Sequence, residues 1–352
     1  MTSRRTFLRT SALLLPPLLA NQSMAGPKSD GVPGPVVVST WDSGVIANAA
    51  AWPVLLRGGR ALDAVEAAGI AIEDNGGCCV GLGGNPDRDG FVTLDACIMD
   101  ERANCGSVAF LERIKHPVSV ARKVMENSPH VMLVGAGAQQ FALENGFVLE
   151  PGTLSPDAEK TYREWLKKSD YQPVINIENR RPDNKKRERI PNGHGPFAPS
   201  FFDDGTPNHD TMGTIALDAS GNLSGMCTTS GMAFKLRGRL GDSPLIGAGL
   251  FVDNEVGAVT CSGQGEEVIR VAGSHTVIEL MRQGLSPADA CKRAVERIVK
   301  RDPERAKTFQ VGFIALSKTG EVGSYAVQPG FSYTITNAER SGVLVKVESM
   351  LQ

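Results

Sequence analysis

The chain has 352 residues, of which 41% are hydrophobic and 22% are charged, and its formal net charge is −2. This composition is that of a globular protein long enough to bury a sizeable core, so a disordered or low-complexity chain is excluded. The protein has no excess of basic residues, which argues against nucleic-acid binding.

Residues 1–25 have the features of an export signal. Arg4 and Arg5 form a twin-arginine pair, a mostly apolar stretch follows at 12–20, and the segment ends in a small-residue cleavage site at Ala25. The apolar stretch contains two prolines and is far shorter than the roughly 20 residues that span a bilayer. We therefore expect a twin-arginine signal peptide at 1–25 and a mature protein in the periplasm of a bacterium, with no membrane partner.

Seven cysteines occur in the chain, at 78, 79, 97, 105, 227, 261 and 291. Their spacing matches no metal signature, and the five histidines are scattered. Twin-arginine export carries proteins that have already folded in the cytoplasm, which argues against a disulfide framework. We interpret most cysteines as small buried hydrophobic residues, with a strained bridge as the alternative for the neighbouring pair Cys78 and Cys79. No metal or cofactor is expected.

The hydrophobic pattern predicts the first elements in chain order: a strand at 36–40, helices at 45–57 and 61–73, strands at 91–99 and 106–111, and a helix near 117–127. Two similar hairpins follow, at 215–223 and 314–322, each with a glycine in its turn. Between them we predict one helix over about 265–283 and a second that begins after Ser286. Strands and helices without strict alternation favour an α+β fold in one domain, with two antiparallel sheets between helical layers.

Thr211 follows His209 and Asp210 and begins an alternating, strand-like run. A threonine in this place is ordinarily only a strand former, and its hydroxyl is a poor nucleophile unless a base lies close by. The smallest arrangement that supplies a base is a threonine with a free α-amino group, whose pKa near 7.7–8.0 leaves a neutral fraction at neutral pH. A nucleophilic role for Thr211 therefore requires cleavage between Asp210 and Thr211, which would give an α chain of 26–210 and a β chain of 211–352.

The segment 180–208, just before this bond, differs from the rest of the chain in composition. Residues 180–189 carry six basic and two acidic side chains, and 191–199 contain three prolines. Such a segment does not pack as a regular element. A patch for polyanions is one interpretation, but we favour an exposed, mobile linker. Such a linker would give the segment on the N-terminal side of the cleaved bond the freedom to move away.

The blocks 209–218, 221–235 and 238–254 closely resemble glycosylasparaginase (aspartylglucosaminidase), a family of self-cleaving N-terminal nucleophile hydrolases. The resemblance covers most of residues 36–330. It implies a four-layer αββα sandwich, Thr211 as nucleophile and Asp210 as the base in self-cleavage. It also implies an (αβ)₂ heterotetramer.

The resemblance also implies roles for individual residues around the nucleophile. Ser262 and Gly263 correspond to the oxyanion hole, with serine where the family has threonine. Thr229 corresponds to a second threonine beside the nucleophile. Trp41 matches a tryptophan at the active site, although a lone tryptophan is more often a core aromatic; the neighbouring Asp42 stands where the family tends to have asparagine.

Three further residues correspond to the part of the site that holds the amino acid. Arg239 is expected to bind the α-carboxylate and Asp242 the α-ammonium of an asparagine derivative. An isolated pair with this spacing would otherwise be interpreted as a surface ion pair. Gly265 matches a position whose backbone lines the pocket.

The function implied is that of an amidohydrolase that cuts the bond between an asparagine side-chain nitrogen and N-acetylglucosamine through a β-aspartyl ester. Two alternatives remain open. A plant-type asparaginase or isoaspartyl dipeptidase would share Thr211, Arg239 and Asp242. An inactive binding protein would keep the fold but would not cleave itself.

Overall fold

The computed structural model describes residues 34–75, 80–169 and 211–352. The predicted signal peptide, the pair Cys78 and Cys79, the segment 180–208 and Asp210 lie outside the described residues. The strands are β1 (Val36–Thr40), β2 (Leu94–Met99), β3 (Cys105–Leu111), β4 (Met132–Val134), β5 (Thr211–Leu217), β6 (Leu223–Thr229), β7 (Leu250–Asp253), β8 (Gly257–Gly263), β9 (Val311–Ser317), β10 (Val322–Ala326), β11 (Ser332–Thr336) and β12 (Val343–Lys346). The α-helices are α1 (Gly44–Leu56), α2 (Ala61–Asp74), α3 (Pro117–Asn127), α4 (Gly135–Glu144), α5 (Pro156–Lys168), α6 (Gly265–Ile269), α7 (Gly273–Arg282), α8 (Pro287–Arg301) and α9 (Pro303–Ala306).

The strands form two sheets. The larger sheet has the order β12-β11-β1-β5-β6-β2-β3-β4, and the smaller sheet has the order β10-β9-β8-β7. Neighbouring strands pair antiparallel, with one departure from the predicted pattern, since β4 runs parallel to β3 at the edge of the larger sheet. In the described part of the chain, no helix combines the length and the apolar composition that crossing a bilayer takes.

Three hydrophobic cores separate four layers. Alternate residues of a strand face opposite sides of its sheet, so Val37 joins a core with α1, α2 and α3, whereas Val38 faces the smaller sheet. The middle core lies between the sheets and contains Ile215 of β5 and Ile314 of β9. A third core joins the outer face of the smaller sheet to α7 and α8. The order is helices, sheet, sheet, helices, which confirms the predicted αββα sandwich.

Most predicted elements occur within a few residues of their expected bounds. Both hairpins are present, and their turn glycines Gly221 and Gly320 have φ of 78° and 83°. The predicted cap of α8 is also present, because the Ser286 hydroxyl accepts a hydrogen bond from the backbone N–H of Asp289 at 3.1 Å.

The prediction of one helix over 265–283 is wrong. The chain forms two helices there, α6 and α7, because Ala272 adopts a left-handed conformation with φ of 47° that no helix can continue through. Gly273 begins α7 against the aromatic ring of Phe313, where an added Cβ would lie 2.6 Å from a ring carbon. The break is therefore set by packing against β9, which the helical pattern of the sequence does not reveal.

Candidate active site

Thr211 lies at one end of the space between the two sheets. It is the first residue of β5, and because Ile215 and Leu217 of the same strand belong to the core between the sheets, alternation places the Thr211 side chain on that face. Antiparallel pairing sets it directly opposite Thr229, the last residue of β6. The strand register thus brings together two threonines that are 18 positions apart in sequence.

The Thr211 hydroxyl has two hydroxyl neighbours. It donates a hydrogen bond to the Thr229 oxygen at 3.2 Å and lies 3.3 Å from the hydroxyl of Ser243. The Thr229 oxygen also accepts a hydrogen bond from the backbone N–H of Gly231 at 2.8 Å, which fixes its orientation. Thr211, Thr229 and Ser243 are all buried. A buried group of hydroxyls can orient a reacting oxygen but supplies no strong base.

The carbonyl oxygen of Thr211 is held from two sides. It accepts hydrogen bonds from the hydroxyls of Thr40, at 3.2 Å, and Ser262, at 3.3 Å. Ser262 in turn accepts a hydrogen bond from the indole N–H of Trp41 at 2.8 Å. These contacts join β1 and β5 of the larger sheet to β8 of the smaller one. The sheets approach closely here because Gly213 has no side chain: a Cβ there would lie 2.0 Å from the hydroxyl of Thr260.

Trp41 and Gly263 both have backbone conformations that the site imposes. Trp41 has φ of 63°, which is unusual for a bulky residue and costs on the order of 1–3 kcal/mol. Contacts with the start of β11 and the residue before it stabilise this conformation, since the Trp41 N–H donates to the Ser332 carbonyl at 2.8 Å and the Trp41 ring meets Phe331 edge to face, with ring centroids 4.7 Å apart. Gly263 has φ of 126°, and a Cβ there would lie 2.2 Å from the carbonyl oxygen of Gln310, so only glycine fits.

Arg239 and Asp242 lie in the loop between β6 and β7, and both are largely buried. The Arg239 guanidinium donates from Nε and Nη2 to the two carboxylate oxygens of Glu266, each at 2.8 Å. Asp242 accepts a hydrogen bond from the Cys261 thiol at 3.1 Å. Burial raises the pKa of Asp242, while the Cys261 hydrogen bond and the Arg239 charge oppose that rise.

Gly265 completes this group. A Cβ there would lie 2.6 Å from a carboxylate oxygen of Asp242 and 2.7 Å from its backbone nitrogen. Ser243, which touches Thr211, is the residue directly after Asp242, and Ser262, which touches the Thr211 carbonyl, is directly after Cys261. The amino-acid-binding residues expected from the sequence and the expected nucleophile therefore belong to one site.

A family described as Asparaginase matches residues 32–345 of the chain. The chain belongs to this asparaginase family. The family is one of the N-terminal nucleophile hydrolases, which confirms the resemblance carried by the sequence blocks around Thr211.

Several relatives of this asparaginase-family protein cover most of its length. An N(4)-(β-N-acetylglucosaminyl)-L-asparaginase of Elizabethkingia miricola is 52% identical over 342 residues, which are 95% of this chain and 92% of the relative. An enzyme of the same name from Rattus norvegicus is 36% identical, with 89% of this chain and 88% of the relative covered. A putative enzyme of that name from Drosophila melanogaster is 34% identical, covering 84% and 77%.

The asparaginase-family site contains residues that sequence reasoning missed. Thr40, Ser243, Cys261 and Glu266 each contact one of the expected residues. The available signal was adjacency, because each stands directly before or after an expected site residue. Among residues 34–75, 80–169 and 211–352, no group of three His, Cys, Asp or Glu side chains is arranged to hold a metal ion.

Two buried ionisable residues, Asp95 and Lys235, lie close to Thr229 in this asparaginase-family protein. Asp95 is in register with Thr229 on β2 and is fully buried, and burial raises the pKa of its carboxyl while the positive charge of Lys235 opposes the rise. The Lys235 ammonium donates to the Ser230 carbonyl at 2.6 Å. Lys235 thus holds the turn that follows Thr229, and we interpret the pair as support for the position of that threonine.

Proposed function

We propose that the protein is a glycosylasparaginase that hydrolyses N4-(β-N-acetylglucosaminyl)-L-asparagine to aspartate and the glycosylamine. Relatives with this name cover nearly the whole chain, one of them at 52% identity. The structural observation that carries the proposal is the buried Thr211 hydroxyl, held between Thr229 and Ser243 at the start of a strand. This is the arrangement expected of a nucleophile that lacks only its base.

The missing base is the α-amino group of Thr211 itself, released by cleavage of the Asp210–Thr211 bond. We propose that the Thr211 hydroxyl attacks the Asp210 carbonyl, with Asp210 as base, and that the resulting ester is hydrolysed. The products are an α chain ending at residue 210 and a β chain beginning at 211. The contact between Thr211 and Thr229 supports this step, because it already orients the attacking oxygen.

Hydrolysis of the substrate follows the same chemistry. The freed amino group takes the proton of the Thr211 hydroxyl, whose oxygen attacks the side-chain carbonyl of the substrate. The proton passes to the amide nitrogen, the C–N bond breaks and the glycosylamine leaves, so that a β-aspartyl ester remains on Thr211. A water molecule activated by the same amino group then releases aspartate.

Donors for the negative oxygen of the tetrahedral intermediate are proposed to be the Ser262 hydroxyl and the Gly263 N–H. The Trp41 indole donates to the Ser262 oxygen and holds it beside Thr211, which supports this role. For the Ser262 proton to reach the oxyanion it must leave the Thr211 carbonyl, to which it is donated at 3.3 Å. Pre-positioned donors of this kind contribute about 10²–10³ in rate each.

The amino-acid end of the substrate is proposed to lie between Arg239 and Asp242. The guanidinium would bind the α-carboxylate, and the Asp242 carboxylate would bind the α-ammonium. A Cβ at Gly265 would lie 2.6 Å from an Asp242 oxygen, so the glycine lets the start of α6 approach this carboxylate closely. Among the described residues of the site, charged partners are proposed only for the amino-acid end, so recognition is proposed to depend on the free α-amino and α-carboxyl groups.

We also propose a location and an oligomeric state for the mature protein. The twin-arginine pair supports a periplasmic location for the mature protein. An (αβ)₂ assembly follows from the family resemblance and is tested by light scattering of the purified, cleaved protein.

A side-by-side assay on GlcNAc-asparagine, asparagine and a β-aspartyl dipeptide tests the proposed activity. We expect GlcNAc-asparagine to have the highest kcat/KM and an N-glycan within an intact glycoprotein to remain attached. A preference for asparagine or the dipeptide would point to the plant-type alternative. A single uncut chain on a denaturing gel, without activity, would point to the binding-protein alternative.

A further inference from the structure

The Arg239 guanidinium uses only one of its edges within the protein. A guanidinium carries five N–H donors, arranged so that two separate edges can each grip a carboxylate in a bidentate pair. Glu266 occupies the edge formed by Nε and Nη2. The second edge, formed by Nη1 and the remaining N–H of Nη2, donates to no acceptor within the described ranges.

Two glycines border this second edge. A Cβ at Gly241 would lie 3.1 Å from Nη1, 3.4 Å from Nη2 and 3.5 Å from the central carbon of the guanidinium. These three distances place it obliquely over the Nη1–Nη2 side of the group, on one face of the guanidinium. A Cβ at Gly231 would lie 3.5 Å from Nη1. Because both positions are glycine, neither residue places a side chain against the second edge; the side chain nearest to Gly231 is that of Lys235, whose Nζ would lie 2.6 Å from a Cβ at Gly231.

Glu266 is itself held in place. Its Oε2 accepts a hydrogen bond from the Gln264 side chain at 2.6 Å as well as one from Arg239. Burial raises the pKa of Glu266, but the hydrogen bond and positive charge of Arg239 outweigh that rise and keep the pKa below its usual value. Glu266 therefore stays a carboxylate at neutral pH, and moving it away from Arg239 would leave a partly buried charge without its partner.

We propose that Glu266 is a positioning residue for substrate recognition. It fixes the first edge of Arg239 so that the second edge, kept open by Gly241, meets the α-carboxylate of the substrate. The substrate binds while the Arg239–Glu266 pair stays intact. This inference rests on the proposed function, since it concerns how the amino-acid end of the same substrate is bound.

Two mechanisms for Glu266 predict opposite results. If Glu266 positions Arg239, its removal frees a long side chain and weakens substrate binding. If Glu266 instead occupies the place of the substrate carboxylate and must be displaced, its removal strengthens binding. The direction of the change in KM decides between them.

The test compares Glu266→Gln and Gly241→Ala with the wild type on GlcNAc-asparagine and on the same compound with its α-carboxylate converted to a primary amide. For Glu266→Gln we expect KM for the free acid to rise about tenfold, kcat to stay within about twofold and KM for the amide to change less than about twofold. Gly241→Ala should raise KM for the free acid at least as much, since its methyl group would lie 3.1 Å from Nη1 and 3.4 Å from Nη2 and would crowd a carboxylate bound there. Both variants should still separate into two chains.

Glu126→Gln is the matched control, because Glu126 also pairs with an arginine, Arg122 of α3, but lies on the outer face of the helical layer. It should change neither KM. A fall in KM for Glu266→Gln, no change, or an equal rise for acid and amide would each overturn the inference. Calorimetric binding of L-aspartate separates this inference from the proposed function. Tighter binding of L-aspartate to the wild type than to Glu266→Gln would support the inference. If the wild type failed to hydrolyse GlcNAc-asparagine, that result would contradict only the proposed function.

Discussion

The two halves of the site are built differently. Around Thr211 the neighbours are uncharged hydroxyls: that of Thr229 is placed by the register of β5 and β6, and that of Ser243 comes from the loop between β6 and β7. Around Arg239 the neighbours are charges on a loop and on the short helix α6, and their positions depend on close approaches at glycines. The proposed chemistry thus sits on the rigid sheets, and the proposed recognition sits on buried charges beside them. Substitutions in the first half should change self-cleavage and kcat, and those in the second should change KM.

The largest effect is expected for Thr211→Ala. Loss of the hydroxyl removes the nucleophile for both reactions, so the chain should stay in one piece and activity should fall by at least about 10⁴-fold. Intact mass spectrometry and the hydrolysis assay measure the two outcomes. Thr211→Ser keeps a hydroxyl and serves as the control, which should still separate into two chains. An active preparation of uncut chains would falsify the mechanism.

The second half of the site is tested by Arg239→Lys. Lysine keeps the charge but loses the planar fork, so we expect KM to rise roughly 10- to 100-fold with kcat within about threefold. Self-cleavage should be unaffected, as seen on a denaturing gel. Arg293→Lys, on the exposed face of α8, is the control and should behave like the wild type. An unchanged KM would remove Arg239 from the carboxylate role.

A smaller effect is expected for Gly265→Ala. Its methyl group would lie 2.6 Å from an Asp242 oxygen and 2.7 Å from the Asp242 nitrogen, so either the carboxylate or α6 must shift. We expect KM to rise about tenfold, because the ammonium partner is displaced. Gly137→Ala is the matched control: this glycine lies in α4, and a Cβ there would meet no atom within 4 Å. Wild-type kinetics for Gly265→Ala would show that the site around Asp242 accommodates the added methyl group without a loss of substrate binding.

The smallest effect concerns the pH dependence set by Cys261. Burial and the Asp242 charge raise the pKa of the Cys261 thiol, which therefore keeps its proton and donates to Asp242. The Asp242 carboxyl, with its raised pKa, must be ionised to bind an ammonium group, so activity should fall as pH drops through that pKa.

The test of this point compares two substitutions. Cys261→Ala removes a donor to the ionised carboxylate and should move the acid limb of kcat/KM to higher pH, whereas Cys261→Ser supplies a stronger donor and should move it to lower pH. At neutral pH both should stay within about threefold of the wild type. Identical acid limbs in all three proteins would mean that Asp242 does not set this limb.

Local sequence signals predicted the elements around the site well where each element carried its own pattern. The strand at 36–40, the helix at 117–127 and the cap at Ser286 have the expected bounds. Local sequence signals failed where tertiary packing determined the local structure. At Ala272, for example, contact with β9 separates α6 from α7. The helix α5 and the strands β11 and β12 were not predicted, although β11 pairs with β1 beside Trp41.

The candidate site shows the same contrast between residues that local sequence signals identify and contacts that tertiary packing sets. Trp41, Thr211, Thr229, Arg239, Asp242, Ser262, Gly263 and Gly265 were all chosen from sequence, and the structure brings them to one end of the sandwich. Glu266 was not chosen, because a glutamate in the first turn of a helix has an ordinary explanation as a partner of the helix dipole. Its bidentate contact with Arg239 depends on how the loop before β7 folds onto α6.

The sequence by itself determined which groups the protein carries: a threonine whose hydroxyl would need a free amino group to act as a nucleophile, a basic and an acidic residue three positions apart, and hairpins whose glycines set their turns. These follow from residue type and short spacing, which local chemistry governs. Only the tertiary structure decided which hydroxyls surround Thr211, which edge of Arg239 is open and why Gly213, Gly241 and Gly265 must lack side chains. Those features arise where two sheets and a loop converge, so their distances depend on contacts between residues far apart in the chain.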